Sequence, residues 1–379
     1  MFAHDLGIIR HLTVAPSGIV FVAVVGSTEG ASDGHVLALA DTDHDGIADQ
    51  RAMFGTVGGN GIAWDNGRLF VAANDRIVRF EIADGDMLPR HQPEVVVTNL
   101  PADGDHPAKA VAIAGDRMFV SIGSATNACQ VVDRAVHSRG IDPCPELAIR
   151  AGIWQFSASG TGQQPRDGVR LATGLRDTNA LALDPRTGTL WGAVSGRDQL
   201  RDSWPELFTD EQDLNLPAEE VVSIASGEDF GWPYCYFDPF RDQNVLAPEY
   251  GGTGQITGRC ANVARPATVL PAHAAPLGMV FATGTQLPPG FQDGAFVANH
   301  GSRFDAQGVE LHGYDVMFVP FANGMPASTP AEFATGFDAG RRPLPEAAPH
   351  RPVGLAMMPD GSLLISDDKG GRIWRVFAK

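Results

Sequence analysis

The chain has 379 residues, 44 glycines and 27 prolines, and a formal net charge of −17 at pH 7. A balance this acidic excludes nucleic acid and anionic lipid as partners, since both need clustered Lys and Arg, and points to a small molecule or a metal ion. No run approaches the ~18 apolar residues of a membrane span, and long helical periodicities are missing, so the chain reads as short strands joined by turns.

Met1 stands almost directly on the strand-like stretch IIRHLTVAPSGIVFVAVVG from Ile8, which leaves no room for a leader and suggests a processed or incomplete start. From Arg10 onward one phrase recurs: small or apolar residues, a turn with Gly, Asp or Asn, then an alternating strand ending in a polar loop. Its first copies are RHLTVAPSGIVFVAVVG from Arg10, NGIAWDNGRLFVAANDRIVRF from Asn60 and KAVAIAGDRMFVSIGS from Lys109. NALALDPRTGTLWGAVSG from Asn179, LGMVFATGTQLPPGFQDGAFVANHGS from Leu277 and VGLAMMPDGSLLISDDKGGRIWRV from Val353 follow.

Each copy reads as a β-hairpin. One hairpin cannot bury both its faces, whereas radial repetition of such sheets can. The expectation is an all-β fold, a six-bladed β-propeller with long inter-strand loop insertions, formed by residues 1–379 as one domain. A two-sheet sandwich is the competing architecture. The stretch from Gly196 to Pro276 holds only one copy's worth of strand pattern amid many Pro, Asp and aromatic residues. Loops this long tend to be functional, and in a propeller the loops of one face surround the central channel.

Candidate residues follow in chain order. DTDHDGIAD places Asp41, Asp43, Asp45 and Asp49 as in the first part of a calcium loop with Gly46 at the turn, but Ala52 stands where the bidentate Glu belongs. A plain Asp-Gly turn explains it too. His106 follows Asp105 and leads into the third copy's strand; a carboxylate beside a histidine raises its basicity and suits a general base. A solvated loop histidine is the alternative. Cys129, Cys144, Cys235 and Cys260 allow three pairings, of which 129/144 with 235/260 closes the shortest loops. Two disulfides in an oxidising compartment are expected over four reduced thiols.

Arg176 and Asp177 occupy in the fourth copy the place His106 has in the third, where a guanidinium could hold an anion or stabilise developing negative charge. A surface Arg–Asp pair is the alternative. VSGRDQLRDSW turns at Gly196 and brings Arg197, Asp198 and Asp202, an oxygen-rich stretch suited to calcium or simply a charged solvated loop. His273, His300 and Arg303 lie at the strand ends of the fifth copy and suggest an anion pocket; no HxH or HxxxH spacing supports zinc.

Together DHPAKAVAI, GLRDTNALALDP, FGWPYCYF, AHAAPLGMVF, AFVANHGS and RPVGLAMMPDGSLLISDDKGGRIWRV make the chain resemble the glucose/sorbosone dehydrogenase family from Leu6 to Val376. The resemblance implies a soluble six-bladed propeller that uses pyrroloquinoline quinone (PQQ) and calcium to oxidise an aldose or related sugar alcohol or aldehyde. By that resemblance His106 takes the hydroxyl proton, Asp105 orients the ring and Arg176 meets substrate and quinone oxygens. Lys109, Asp177, His273, His300, Arg303 and Arg351 would stand at the cofactor, and calcium would lie at the loop of Gly196, Arg197, Asp198 and Asp202. An external electron acceptor and a periplasmic or secreted location are also implied. The family's GLRN is GLRD here, its HGSWNR is HGSRFD, and the basic residue after GY is Asp315. Asp177, Asp305 and Asp315 thus bring negative charge where a tricarboxylate binds, which keeps open a propeller that has lost PQQ and acts as a carbohydrate-binding protein or calcium-assisted hydrolase.

Overall fold

The computed structural model describes residues 1–26, 34–301, 312–340 and 347–378. Each of the six recurring phrases folds as the inner hairpin of one antiparallel sheet, and the sheets follow one another around an axis as a six-bladed propeller. Blade one is β1 (Ile9–Val14), β2 (Val20–Val24), β3 (His35–Ala40) and β4 (Gln50–Phe54). Blade two is β5 (Gly61–Asp65), β6 (Arg68–Ala72), β7 (Ile77–Glu81) and β8 (Glu94–Val97). Blade three is β9 (Val111–Ala114), β10 (Arg117–Ile122), β11 (Gly152–Ser157) and β12 (Val169–Thr173).

Blade four begins with β13 (Asp177–Leu183), β14 (Leu190–Ser195) and β15 (Glu219–Ser223), and is interrupted by an insertion. The insertion carries β16 (Glu228–Asp229), which runs parallel beside β12, and the hairpin β17 (Cys235–Asp238) and β18 (Gln243–Leu246). β19 (Thr268–Leu270) then completes the blade. Blade five holds β20 (Pro276–Phe281), β21 (Gly294–Asn299), β22 (Asp315–Ala322), β23 (Met325–Pro326) and β24 (Ala331–Ala334). Blade six is β25 (Pro352–Met357), β26 (Leu363–Asp367) and β27 (Arg372–Val376). The described helices are short, α1 (Leu200–Ser203) and α2 (Asp210–Asn215), and none is long and apolar enough to cross a membrane.

Local chemistry explains the elements. Second strands such as β2 (VFVAV) are buried throughout because each is covered on both faces by neighbouring blades, whereas the outer β4 (QRAMF) is mostly exposed. Asn66 and Gly67 turn β5 into β6 with φ of 48° and 79°, the paired positive values that a tight hairpin turn demands and that Asn-Gly tolerates. One apolar cluster fills each blade interface. Phe21 and Val36 meet Leu69 and Phe80 between blades one and two, for example, and Trp191 and Val221 meet Phe281 and Val297 between blades four and five. Each such fully buried side chain contributes roughly 1.5–3 kcal/mol.

The ring closes on the chain's first residues. Ala3 pairs antiparallel with Ile373 of β27, and the amides of Phe2 and Ala3 donate to the Ile373 carbonyl at 2.8 and 3.2 Å. Phe2 is fully buried beside Ile9, Leu12 and Leu364, so the N-terminal segment belongs to the core between blades six and one.

Disulfides Cys129–Cys144 and Cys235–Cys260 are formed, the pairing with the shortest loops. They sit in the loop 123–151 of blade three and in the blade-four insertion. These two segments pack together through buried Glu249, which accepts from Arg197 at 2.5 Å, Trp204 Nε1 at 3.1 Å and Gln130 Nε2 at 3.3 Å.

Candidate active site

A cavity of about 710 Å³ opens on the axis at the end of the propeller where the inner strands begin, a size suited to a cofactor with a small substrate. It is lined by residues of all six blades. A continuous belt of hydrogen bonds crosses its floor. Asn179 donates to both Asp177 oxygens at 3.0 Å, Asn60 donates to Asn179 Oδ1 at 3.1 Å, and Arg10 Nε donates to Asn60 Oδ1 at 3.0 Å. Arg10 Nη1 then reaches Asp368 at 2.7 Å, and Asp368 holds His300 Nε2 at 3.0 Å. Asn60 and Asn179 open their copies of the repeat, which was the sequence signal for them.

His106 lies on the wall. Its backbone amide and Nδ1 both reach the Ser124 carbonyl, at 3.2 and 3.1 Å, and Nδ1 is 3.0 Å from Ser124 Oγ. A carbonyl only accepts, so Nδ1 carries the proton and Nε2 keeps its lone pair. Gly123 makes this approach possible, because a Cβ there would stand 2.5 Å from His106 Cβ. Burial first, and then the Arg176 guanidinium, hold the His106 pKa well below the ordinary 6.5.

Arg176, 3% exposed, donates to Asn127 O at 3.2 Å, Asn127 Oδ1 at 3.1 Å, Gly196 O at 2.6 Å and Asp198 Oδ2 at 2.9 Å. Four of its five N–H groups are thereby engaged. Asp198 is a shared anion: its other oxygen is 3.6 Å from His273 Nδ1, while His273 Nε2 donates to Asp213 O at 2.7 Å. Burial opposes charge on both, but the mutual pairing wins. The Asp198 carboxyl is held far below the usual range by Arg176 and His273, and His273 is pushed up to about 9 by Asp198. Glu219, buried, accepts from the amides of Gly196 at 2.5 Å and Ala275 at 3.0 Å, and burial raises it to about 7.

The structure thus brings His106, Arg176, Asp177, Asp198, His273, His300, Arg351 and the backbone of Gly196 to one cavity. Arg351 Nε donates to His300 O at 2.9 Å and Nη2 to Gly301 O at 3.2 Å. Other expected residues stand elsewhere or act differently. Asp105 does not hold the His106 ring; adjacent residues of this extended loop diverge, and Asp105 bonds Arg134 at 2.7 Å. Lys109 is fully buried outside the cavity lining, where its ammonium donates to Pro101 O at 2.8 Å and to Pro107 O, bracing the His106 loop from below. Burial lowers Lys109 to about 7.

The calcium expectation at Gly196–Asp202 meets a different arrangement. The Gly196 carbonyl is taken by Arg176, Arg197 faces Glu249, and Asp202 is exposed on α1. Asp41, Asp43 and Asp45 do cluster, but on the exposed β3–β4 loop, where Asp41 accepts from Asp45 N at 3.1 Å and Gly46 N at 2.9 Å. Asp49 instead accepts from Thr42 Oγ1 at 2.6 Å. Arg303 and Asp305 lie outside the described residues; Asp315 accepts from Asn299 at 2.7 Å. Sequence reasoning missed Arg10, Asn60, Ser124, Arg134, Asn179, Glu219 and Asp368 as site residues.

Comparison with known proteins agrees with this architecture. A Hypocrea jecorina protein described as a pyrroloquinoline quinone-dependent sugar dehydrogenase is 26% identical over 304 residues, 74% of this chain and 64% of that one. The chain spans 48% and 64% of the lengths of the two curated relatives it matches. The iodide structure of the Trichoderma reesei carbohydrate-active enzyme of family AA12 superposes with a TM-score of 0.77 at 21% identity, covering 98% of this chain and 94% of that one. The holo PQQ domain of Coprinopsis cinerea pyranose dehydrogenase superposes with a TM-score of 0.78 at 21% identity, covering 99% and 94%. The family model described as TrAA12-like matches residues 2–379, and the chain belongs to that family.

Proposed function

We propose that this protein is a PQQ-dependent oxidoreductase acting on a sugar hydroxyl or hydrated aldehyde in the axial cavity, with His106 as general base. The observation that carries the reading is the His106–Ser124 bond, which leaves a neutral imidazole nitrogen free to accept a proton in a cavity rich in fixed cations. The lining offers Arg10, Arg76, Arg134, Arg176, Arg351 and cationic His273 against six carboxyl groups, of which Asp177 and Glu219 are pushed toward the neutral form by burial. Within a chain of net charge −17 this donor set fits a planar tricarboxylate.

In this reading the deep arginines Arg10, Arg176 and Arg351 hold the cofactor carboxylates and quinone oxygens. The chemistry PQQ supplies when bound is acceptance of hydride from the carbinol carbon. His106 Nε2 takes the hydroxyl proton, and the remaining Arg176 N–H steadies the oxygen as it becomes anionic. Of the residues expected at calcium, Gly196 and Asp198 line the cavity and already bond Arg176, while Arg197 and Asp202 are not in its lining. Two disulfides support an oxidising, extracytoplasmic location.

The test is reconstitution with PQQ, with and without Ca²⁺, followed by dye reduction across aldoses, uronic acids and sugar alcohols. PQQ-dependent turnover that is lost in His106→Ala supports the reading. No cofactor absorbance and no turnover across the panel would overturn it, and glycan binding without PQQ would favour the carbohydrate-binding alternative.

A further inference from the structure

The loop 123–151 leaves the cavity wall at Gly123, is pinched by Cys129–Cys144, and sends one side chain back over the mouth, that of Arg134. Arg134 Nη2 donates to Asp105 at 2.7 Å and Nη1 to Gln199 Oε1 at 2.9 Å; Nη1 is also 3.7 Å from Asp198, and Nε is 3.5 Å from Asp133. Its backbone is left-handed, φ 56°, a conformation that costs a residue with a Cβ about 1 kcal/mol. Two bonds maintain it: Arg134 N donates to Gln130 Oε1 at 2.8 Å, and Asn127 N to Asp133 at 3.0 Å. Three segments distant in sequence therefore meet on one guanidinium: the loop that carries His106, the disulfide loop, and the blade-four loop that carries Asp198.

We propose that Arg134 is a positioning residue, a bridge that locks the His106 loop of blade three to the Asp198–Gln199 loop of blade four across the cavity mouth. The proposal rests on the dehydrogenase reading only in giving His106 its reaction. An isolated exposed Arg–Asp pair is worth at most about 1 kcal/mol. Here the guanidinium fork instead engages groups on both loops, a geometry lysine reproduces only in charge. The charged groups acting on His106 are Arg176 and Asp198 from blade four and Arg134 from the disulfide loop, with Asp105 adjacent in the chain but turned to Arg134, and Asp177 beyond Gly123. Loss of Arg134 leaves Asp105 and Asp198 less compensated and makes His106 more basic; loss of Asp105 breaks the same bridge but makes it less basic.

The test compares Arg134→Met, Arg134→Lys and Asp105→Asn. His106 is titrated by NMR in protein without ligand, and KM and kcat are measured with PQQ and a sugar that turns over. Arg134→Met should raise the His106 midpoint and raise KM by about tenfold, with Arg134→Lys recovering most of the midpoint and part of KM. Asp105→Asn should raise KM likewise while moving the midpoint down. Folded Arg134→Met with unchanged midpoint and KM would overturn the bridge, as would equal losses in the Met and Lys variants with an unmoved midpoint. Should Arg134→Met not fold, the opposed shifts of Asp105→Asn and Arg134→Lys decide. A wild-type protein inactive with PQQ sinks the dehydrogenase reading, and the titration still decides the bridge.

Discussion

The Nδ1 atom of His106 lies 3.1 Å from the Ser124 carbonyl, and that single contact fixes the tautomer in which Nε2 is a base. His106→Gln should therefore lower kcat/KM by ~10²–10⁴-fold with little change in stability. Because burial depresses the His106 pKa, the neutral form that the proposed base role requires persists as pH falls through 6.5. The acid limb of the wild-type pH–rate profile should lie well below that value. A limb at or above 6.5 would assign the base to another group.

Asp177 stands where the resembled family has Asn, and burial raises its carboxyl pKa. Its negative charge therefore opposes an anionic ligand more at high pH than at low. Asp177→Asn should tighten PQQ binding about tenfold at pH 8, the equivalent of ~1.4 kcal/mol, and progressively less as the pH falls and the carboxyl takes up its proton. Isothermal titration at pH 8 and at lower pH measures the difference.

Arg10 is the cation of the belt, joining Asn60 to part-buried Asp368. Arg10→Met should weaken PQQ binding at least tenfold and cost roughly 1–3 kcal/mol in denaturant unfolding, because the part-buried Asp368 carboxylate keeps only His300 as a hydrogen-bond partner among the described residues. The companion Arg10→Met/Asp368→Asn should recover stability without recovering binding.

Phe2 packs with zero exposure between the first and last blades. Phe2→Ala should cost about 3–5 kcal/mol, and hydrogen exchange should speed selectively at Ile373, whose amide bonds Ala3 O at 2.9 Å.

His11 Nε2 is buried with no hydrogen-bond partner among the described residues, and burial lowers its pKa from 6.5 to about 4. The folded value lies below the unfolded one, so the unfolded chain binds the proton first. His11 thus leaves stability unaffected above pH 6.5 and removes on the order of 3 kcal/mol between pH 6.5 and 4. His11→Met should flatten the pH dependence of unfolding in that window, by about one proton.

The propeller was legible because its cause is local and repeated: six copies of one hairpin phrase became β1–β2, β5–β6, β9–β10, β13–β14, β20–β21 and β25–β26. The blade-four insertion was not legible, since the two-residue β16 holds its place only by pairing with β12, and β17 and β18 through a disulfide and a buried Glu249 rather than through periodicity. Nor was the closure of blade six, whose outer strand β27 is met by a single bridge from Ala3 of the N-terminal segment.

The sequence by itself determined the blade count, the disulfide candidates and the strand ends at which His106, Arg176, His273, His300 and Arg351 would stand. Only the tertiary structure decided what each side chain faces. Ser124, not Asp105, holds His106, and Asp198 serves Arg176 and His273 while the Gly196 carbonyl is already occupied. Hairpin periodicity is set by neighbours a few residues away. A cavity's charge pairing is set by groups that lie on different blades and meet only when the ring is closed.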